Sequence, residues 1–156
     1  MNTNEALINH FYTCFQRKDV KGMQDCYADK AVFSDPVFQN LNAPEVRSMW
    51  AMLLASGKDM RIEFKNIIAG QQDGTAEWDA YYTFSSTGNK VLNKIKATFV
   101  LENGKIIAHQ DHFDFYTWAK QALGLTGLLL GWTSFLKNKI RTKARKNLDN
   151  YMNKPR

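Results

Sequence analysis

The stretch His109-Gln110-Asp111-His112-Phe113-Asp114-Phe115-Tyr116 follows a strand-like run, Lys105-Ile106-Ile107-Ala108, and sets two carboxylates and two imidazoles among aromatic residues. Alternate residues of a strand face opposite sides. His109, Asp111, Phe113 and Phe115 are therefore expected on one face, and Gln110, His112, Asp114 and Tyr116 on the other. An unpaired carboxylate on a core-facing side is costly or is driven to a shifted pKa. Asp111 is thus either an acid in a cavity or a polar residue on an exposed sheet face, and the pattern leaves both open. His109 would hydrogen-bond that carboxylate or shuttle its proton. The plainer alternative is a partly exposed strand histidine. His112 and Asp114 are expected to meet solvent or a helix.

Upstream, the same period of two recurs. Met60, Ile62, Phe64, Asn66 and Ile68 alternate with Arg61, Glu63 and Lys65. Trp78, Ala80, Tyr82 and Phe84 alternate with Glu77, Asp79, Tyr81 and Thr83. Val91, Asn93, Ile95, Ala97, Phe99 and Leu101 alternate with Leu92, Lys94, Lys96 and Thr98. Turn signals at Gln72-Asp73-Gly74, Ser85 to Asn89 and Glu102-Asn103-Gly104 join these runs, which predicts an antiparallel meander.

The text before the meander has the helical period. Leu7, Ile8, Phe11, Cys14 and Phe15 predict a helix to about Arg17, capped by Thr3 or Asn4. Asp19 is expected to cap a short helix from Val20 to Tyr27, followed by a short strand, Ala31 to Ser34, that Asp35-Pro36 ends. Pro44 suits the first turn of a helix from Glu45 to Ser56, closed by Gly57. After the meander, helices are expected over Trp118 to Leu125 and Gly131 to about Asn150. The second carries a stripe of Trp132, Leu136, Ile140, Ala144, Leu148 and Tyr151. Helices, a short strand, a helix, four long strands and a C-terminal helix amount to an α+β fold with helices on one face of a curved sheet.

A chain of 156 residues suits one domain with a real core. Its two cysteines, Cys14 and Cys26, make neither a disulfide framework nor a metal site. No Cys/His spacing fits zinc, and the glycines form no phosphate loop. Neither a metal nor a cofactor is expected. The polar start Met1-Asn2-Thr3-Asn4-Glu5 has no export pattern, and a cytoplasmic setting is the default. The net charge of +6 is uneven: Trp132 to Arg156 holds eight Lys/Arg and one acid, Asp149. That tail is read as a helix with an apolar stripe and solvated charges. A membrane-surface helix and a nucleic-acid patch are the alternatives, the latter weakened by the lack of interleaved aromatics.

A second acid, Asp35, lies in Phe33-Ser34-Asp35-Pro36-Val37-Phe38, where a plain turn competes with a site. Tyr27-Ala28-Asp29-Lys30-Ala31-Val32-Phe33-Ser34-Asp35-Pro36 resembles the first-strand signature of the nuclear-transport-factor-2-like superfamily, in its ketosteroid-isomerase and SnoaL-like branches. Asp111-His112-Phe113-Asp114-Phe115 resembles the matching late-strand signature. The resemblance runs from about Glu5 to Trp118. It implies a cone-shaped α+β barrel, with a SnoaL-like domain over residues 1–120 and a C-terminal helical extension over 121–156, packed over the cone's mouth or on a partner in a homodimer.

In the isomerase branch the Asp before Pro is a general base, and the late-strand Asp donates a hydrogen bond to a developing enolate. Carried over, the base is Asp35 and the donor is Asp111, with His109 as modulator. The third isomerase group, a tyrosine, falls on Phe11, which has no donor, and Tyr12 is rotated from it by ~100°. Phe11, Tyr12, Tyr27, Trp50 and Phe113 are the residues expected to touch a small apolar ligand. The resemblance implies a cofactor-independent isomerase, cyclase or hydrolase acting on a carbonyl or epoxide. The rival is a non-catalytic ligand-binding or dimerisation module of the same fold.

Overall fold

In the computed structural model, which describes residues 2–155, the first helix is α1 (Thr3–Gln16). Met1 and Arg156, the latter counted in the basic tail, lie outside the described residues. Asn2, rather than Thr3 or Asn4, caps α1: its side chain accepts from Glu5 N while the Glu5 carboxylate accepts from Asn2 N. Asn4 instead donates to the carbonyls of Gly70 and Gln71. Asp19 caps α2 (Val20–Asp25), which stops short of Tyr27 because Tyr27 already opens β1 (Tyr27–Ser34).

A two-residue strand absent from the sequence expectation, β2 (Leu41–Asn42), precedes α3 (Ala43–Ser56), which has a second capping box between Asn42 and Glu45 and ends at Gly57. The meander follows as β3 (Arg61–Ala69), β4 (Asp73–Phe84), β5 (Asn89–Glu102) and β6 (Lys105–His112). The six strands form one sheet in the order β2-β1-β6-β5-β4-β3. All neighbours are antiparallel except β1 and β6, which run parallel. The meander is antiparallel as expected, and the sheet as a whole is mostly so; β1 returns to the sheet after the whole meander, so no short turn fixes its direction.

The predicted alternation holds along β5, where Val91, Asn93, Ile95, Ala97, Phe99 and Leu101 are buried. It fails halfway along β3. Asn66 takes a left-handed backbone (φ 56°), the register against β4 slips between Lys65 and Ile68, and Ile67 packs on the core while Ile68 turns outward, 67% exposed. A bulge adds one residue and so exchanges the two faces beyond it. Further register shifts lie between Tyr27 and Val32 and between Val100 and Leu101. Such shifts increase strand bending, which suits a sheet that curves around α1 and α3.

The opening stretch is shorter as a strand than its alternation implied. β6 stops at His112, and Asp114 caps α4 (Phe115–Leu123) by accepting from Thr117 N. Phe115 is therefore a helix residue, and the capping carboxylate accounts for Asp114. A short helix not expected from the sequence, α5 (Leu125–Leu130), precedes α6 (Ser134–Met152). Leu136 and Leu148 of α6 are buried, whereas Trp132 lies before the helix and is 74% exposed. Leu148 belongs to the main core, and Arg145 pairs with Glu45 of α3 and with Asp149.

Candidate functional site

β6 brings His109 and Asp111 inward between β1 and β5: Phe33 pairs with His109, Phe99 with His109, and Ala97 with Asp111. Both side chains are buried, each 2% exposed. His109 Nε2 lies 2.9 Å from Asp111 Oδ1, and His109 Nδ1 lies 2.8 Å from Tyr27 Oη. Tyr27 Oη also accepts from Trp50 Nε1 at 2.9 Å, and Trp78 Nε1 donates a longer bond, 3.4 Å, to Asp111 Oδ1. The result is a buried chain running Trp50, Tyr27, His109, Asp111, Trp78.

Its proton order follows from counting donors. Tyr27 has one O–H, and its oxygen is already an acceptor for Trp50, so that O–H donates to Nδ1 of His109. The imidazole proton then sits on Nε2 and points at Asp111 Oδ1. Burial raises the Tyr27 hydroxyl well above its usual pKa, although the Trp50 bond opposes the shift. Its proton therefore stays on the oxygen, which keeps the tautomer fixed. Asp111 Oδ1 thus receives two N–H groups, leaving Oδ2 as the oxygen without a partner among the described residues.

Asp35 closes the end of β1. Its Oδ1 accepts from Val37 N at 2.7 Å and Phe38 N at 2.6 Å, so the Asp-Pro turn of the sequence is real and also fixes the carboxyl. Burial is the main force on its pKa, which is pushed up to about 7. The charge of Asp111 adds to the rise, and the two backbone bonds and Arg141 oppose it. The turn and the site are therefore the same feature: Oδ1 serves the loop, and the residue lines the cavity. Asp35 and Asp111 line one cavity of about 630 Å³, together with Trp50, Trp78, Tyr82 and Phe113.

The other named residues fall elsewhere. Phe11, Tyr12 and Tyr27 are fully buried or nearly so, and none of them lines the cavity. Phe11 packs edge-on against Tyr27 and His109, so it backs the buried chain rather than meeting a ligand. Tyr12 stacks on Phe64, and its Oη is buried without a partner among the described residues. Both residues are inward because the amphipathic stripe of α1 is wide enough to take two adjacent positions. His109 likewise stands behind Asp111, not in the cavity wall.

Sequence reasoning missed Tyr82. Its Oη accepts from Trp118 Nε1 at 2.7 Å, so α4 fixes it on the cavity wall. Its own O–H has no acceptor among the described residues. Burial raises its pKa, and Asp35 contributes to the rise. The signal was present: Tyr82 stands on the inward set of its strand, and an inward tyrosine needs a use for its hydroxyl. The far half of α6 also borders the cavity, through Ile140, Lys143, Ala144 and Tyr151, while Arg141 Nε donates to Pro36 O at 2.8 Å beside Asp35. Among the described residues, no group of three or more His, Cys, Asp or Glu is placed to hold a metal ion. None of the described helices is long and apolar enough to cross a membrane.

No curated protein matches the chain. Solved structures do. An NTF2-like protein of unknown function from Burkholderia pseudomallei superposes with a TM-score of 0.65 at 20% identity, over 73% of this chain and 92% of that one. An LEH-like epoxide hydrolase from M. tuberculosis gives 0.64 at 18%, over 82% and 96%. IdmH, a proposed polyketide cyclase from Streptomyces antibioticus, gives 0.64 at 19%, over 77% and 97%. At these identities the likeness establishes the fold alone, the nuclear-transport-factor-2-like α+β cone. The SnoaL-like domain model matches residues 8–109, about two thirds of the sequence. The chain belongs to the SnoaL-like domain family.

Proposed function

We propose that the protein is a cofactor-independent acid–base enzyme that isomerises, cyclises or hydrolyses a small apolar substrate bearing a carbonyl or an epoxide. The observation that carries this is Asp35: a carboxyl held by two backbone N–H groups, opening on a cavity it shares with Asp111, with a pKa of about 7. A general base works best when its pKa lies near the operating pH. A perturbed carboxyl in a cleft beside a specific charged partner is a usual mark of an acid–base site.

In the cycle we assign, the ionised Oδ2 of Asp35 takes a proton from the carbon beside a carbonyl, or from a water that opens an epoxide. Tyr82 Oη, whose proton is not engaged, donates to the oxygen that gains charge. Asp111 presents Oδ2 to the ligand beside Asp35, held in place by His109 and Trp78 through Oδ1. In an isomerisation, Asp35 returns the proton to a second carbon, so nothing is consumed. Trp50 and Phe113 pack on the ligand body, and no metal or cofactor takes part in these steps. The test is kcat/KM on a panel of enones and epoxides. Asp35→Asn is expected to lose 10²–10⁴-fold, a range typical of general bases, while equal activity in both proteins removes Asp35 as the base.

A second reading, a non-catalytic binding module, is favoured by Phe11, which supplies no hydroxyl at the position the isomerase resemblance selects. It expects the same ligands to bind with no turnover by either protein. In both readings the assembly is a homodimer in the cytoplasm.

A further inference from the structure

Helix α5 is built the wrong way round for a water-facing helix. Its buried residue is Gly127, and Leu125, Leu128, Leu129 and Leu130 are all exposed. The cause is close backbone contact: a Cβ on Gly127 would lie 1.9 Å from the Ala119 carbonyl oxygen, so α5 lies flat on α4 by its glycine and turns its leucines outward. Trp132 and Phe135 follow at 74% and 71% exposure. Trp132 Nε1 donates to Leu129 O and Tyr116 Oη to Leu128 O, which holds this hydrophobic surface in a fixed shape. Large apolar residues exposed this densely along one short stretch mark an interaction site.

The charge around it identifies the partner. From Phe115 to Leu148 the chain has no acidic residue and seven cations. Phe135, Lys139, Thr142 and Lys146 recur at helical spacing and so share one flank of α6. Lys139, Lys143 and Lys146 are exposed and join no salt bridge among the described residues. A second copy of the chain would meet this surface with the same surface in a two-fold contact, bringing cations against cations. A nucleic acid would leave the leucines unsatisfied. An anionic bilayer accepts both parts, since leucine, tryptophan and phenylalanine enter the interface while lysines meet the headgroups.

We propose that residues 125–146 dock the protein on an anionic lipid surface, with Leu128, Leu129, Trp132 and Phe135 inserted and Lys139 and Lys146 on the headgroups. This does not depend on the acid–base chemistry of the cavity. The experiment is sedimentation of the full chain with vesicles of phosphatidylcholine alone or mixed with phosphatidylglycerol, at low and high salt. Wild type is expected to sediment with the mixed vesicles and to be released by salt. Leu129→Gln/Trp132→Gln/Phe135→Gln should lose at least about tenfold in partitioning, from lost apolar transfer. Lys139→Gln/Lys146→Gln should lose about thirtyfold, at about 1 kcal/mol per lysine. All these residues are exposed, so circular dichroism should show the wild-type fold in both variants. Wild type that stays in solution with mixed vesicles at low salt overturns the proposal. So does equal partitioning by wild type and both variants. Light scattering that finds a dimer abolished by the apolar substitutions, without vesicle binding, reassigns the surface to a second copy.

Discussion

His109 Nε2 lies 2.9 Å from Asp111 Oδ1, and neither side chain reaches bulk water. These residues are two apart on one strand, so the pleat alone puts them on one face. What makes them a unit is Tyr27, 82 residues before His109, whose hydroxyl decides which imidazole nitrogen carries the proton. Removing it should be felt at both ends. Tyr27→Phe strands Trp50 Nε1–H and His109 Nδ1, two buried groups at about 1–3 kcal/mol each. The expected loss is about 2–6 kcal/mol in urea unfolding, with an unchanged m-value. ¹⁵N spectra should show the His109 tautomer no longer fixed. A stability within experimental error of wild type would contradict the chain of bonds.

Asp35 predicts a pH dependence with a definite sign. Its folded pKa, about 7, lies above the ~3.9 of an unfolded aspartate. Between those values the folded state binds the extra proton, so stability falls as pH rises from about 4 to about 7 and then levels off. The contribution is fully present below the unfolded pKa. Asp35→Asn keeps the acceptor for Val37 and Phe38 N–H but has nothing to titrate, so this slope should vanish. Unfolding free energies at a series of pH values check it. If Asp35 is the base, activity should rise with pH through the same midpoint.

Asp111 should move that midpoint. Its negative charge helps push the Asp35 carboxyl up. In Asp111→Asn the amide oxygen still faces His109 Nε2, the charge is gone, and the Asp35 midpoint should fall below about 7. Carboxyl ¹³C titration reads this directly. An unmoved midpoint would separate the two acids.

Tyr82→Phe separates a catalytic hydroxyl from a structural one. The ring stays, and Trp118 Nε1 loses its acceptor, at about 1–3 kcal/mol. If the hydroxyl stabilises developing charge, kcat should fall by about 10²–10³ while KM changes little. A change confined to stability would leave Tyr82 as a positioning residue for α4.

Leu148→Ala tests whether α6 belongs to the core. Leu148 is fully buried in the main cluster with Ile8, Phe11 and Trp50. The expected cost is about 2–5 kcal/mol, in a single unfolding transition. Arg145→Ala, whose guanidinium is itself half exposed though its partner Glu45 is largely covered, should cost about 1 kcal/mol. A separate early transition for Leu148→Ala would mark α6 as an independent unit.

The sequence by itself determined the local choices. The period of two in β3, β4, β5 and β6 set which residues share a face, grouping His109 with Asp111 and Tyr82 with Trp78, while leaving open whether Asp111 is buried. The helical period did the same for Ile8, Phe11 and Phe15 but not for Tyr12, and the two Asp motifs named the acids that share a cavity. It also misled where one backbone torsion intervened: Asn66 carries the bulge that exchanges Ile67 and Ile68, and Asp114 ends β6 by capping α4. Only the tertiary structure decided what each inward group touches. Tyr27 on His109, Trp118 on Tyr82, and the parallel seating of β1 beside β6 join residues far apart in the chain, and no local period encodes such a distance. The leucines of α5 show the same limit from outside. Their pattern reads as core, but the close contact of Gly127 with Ala119 leaves the inner side of that helix to a glycine.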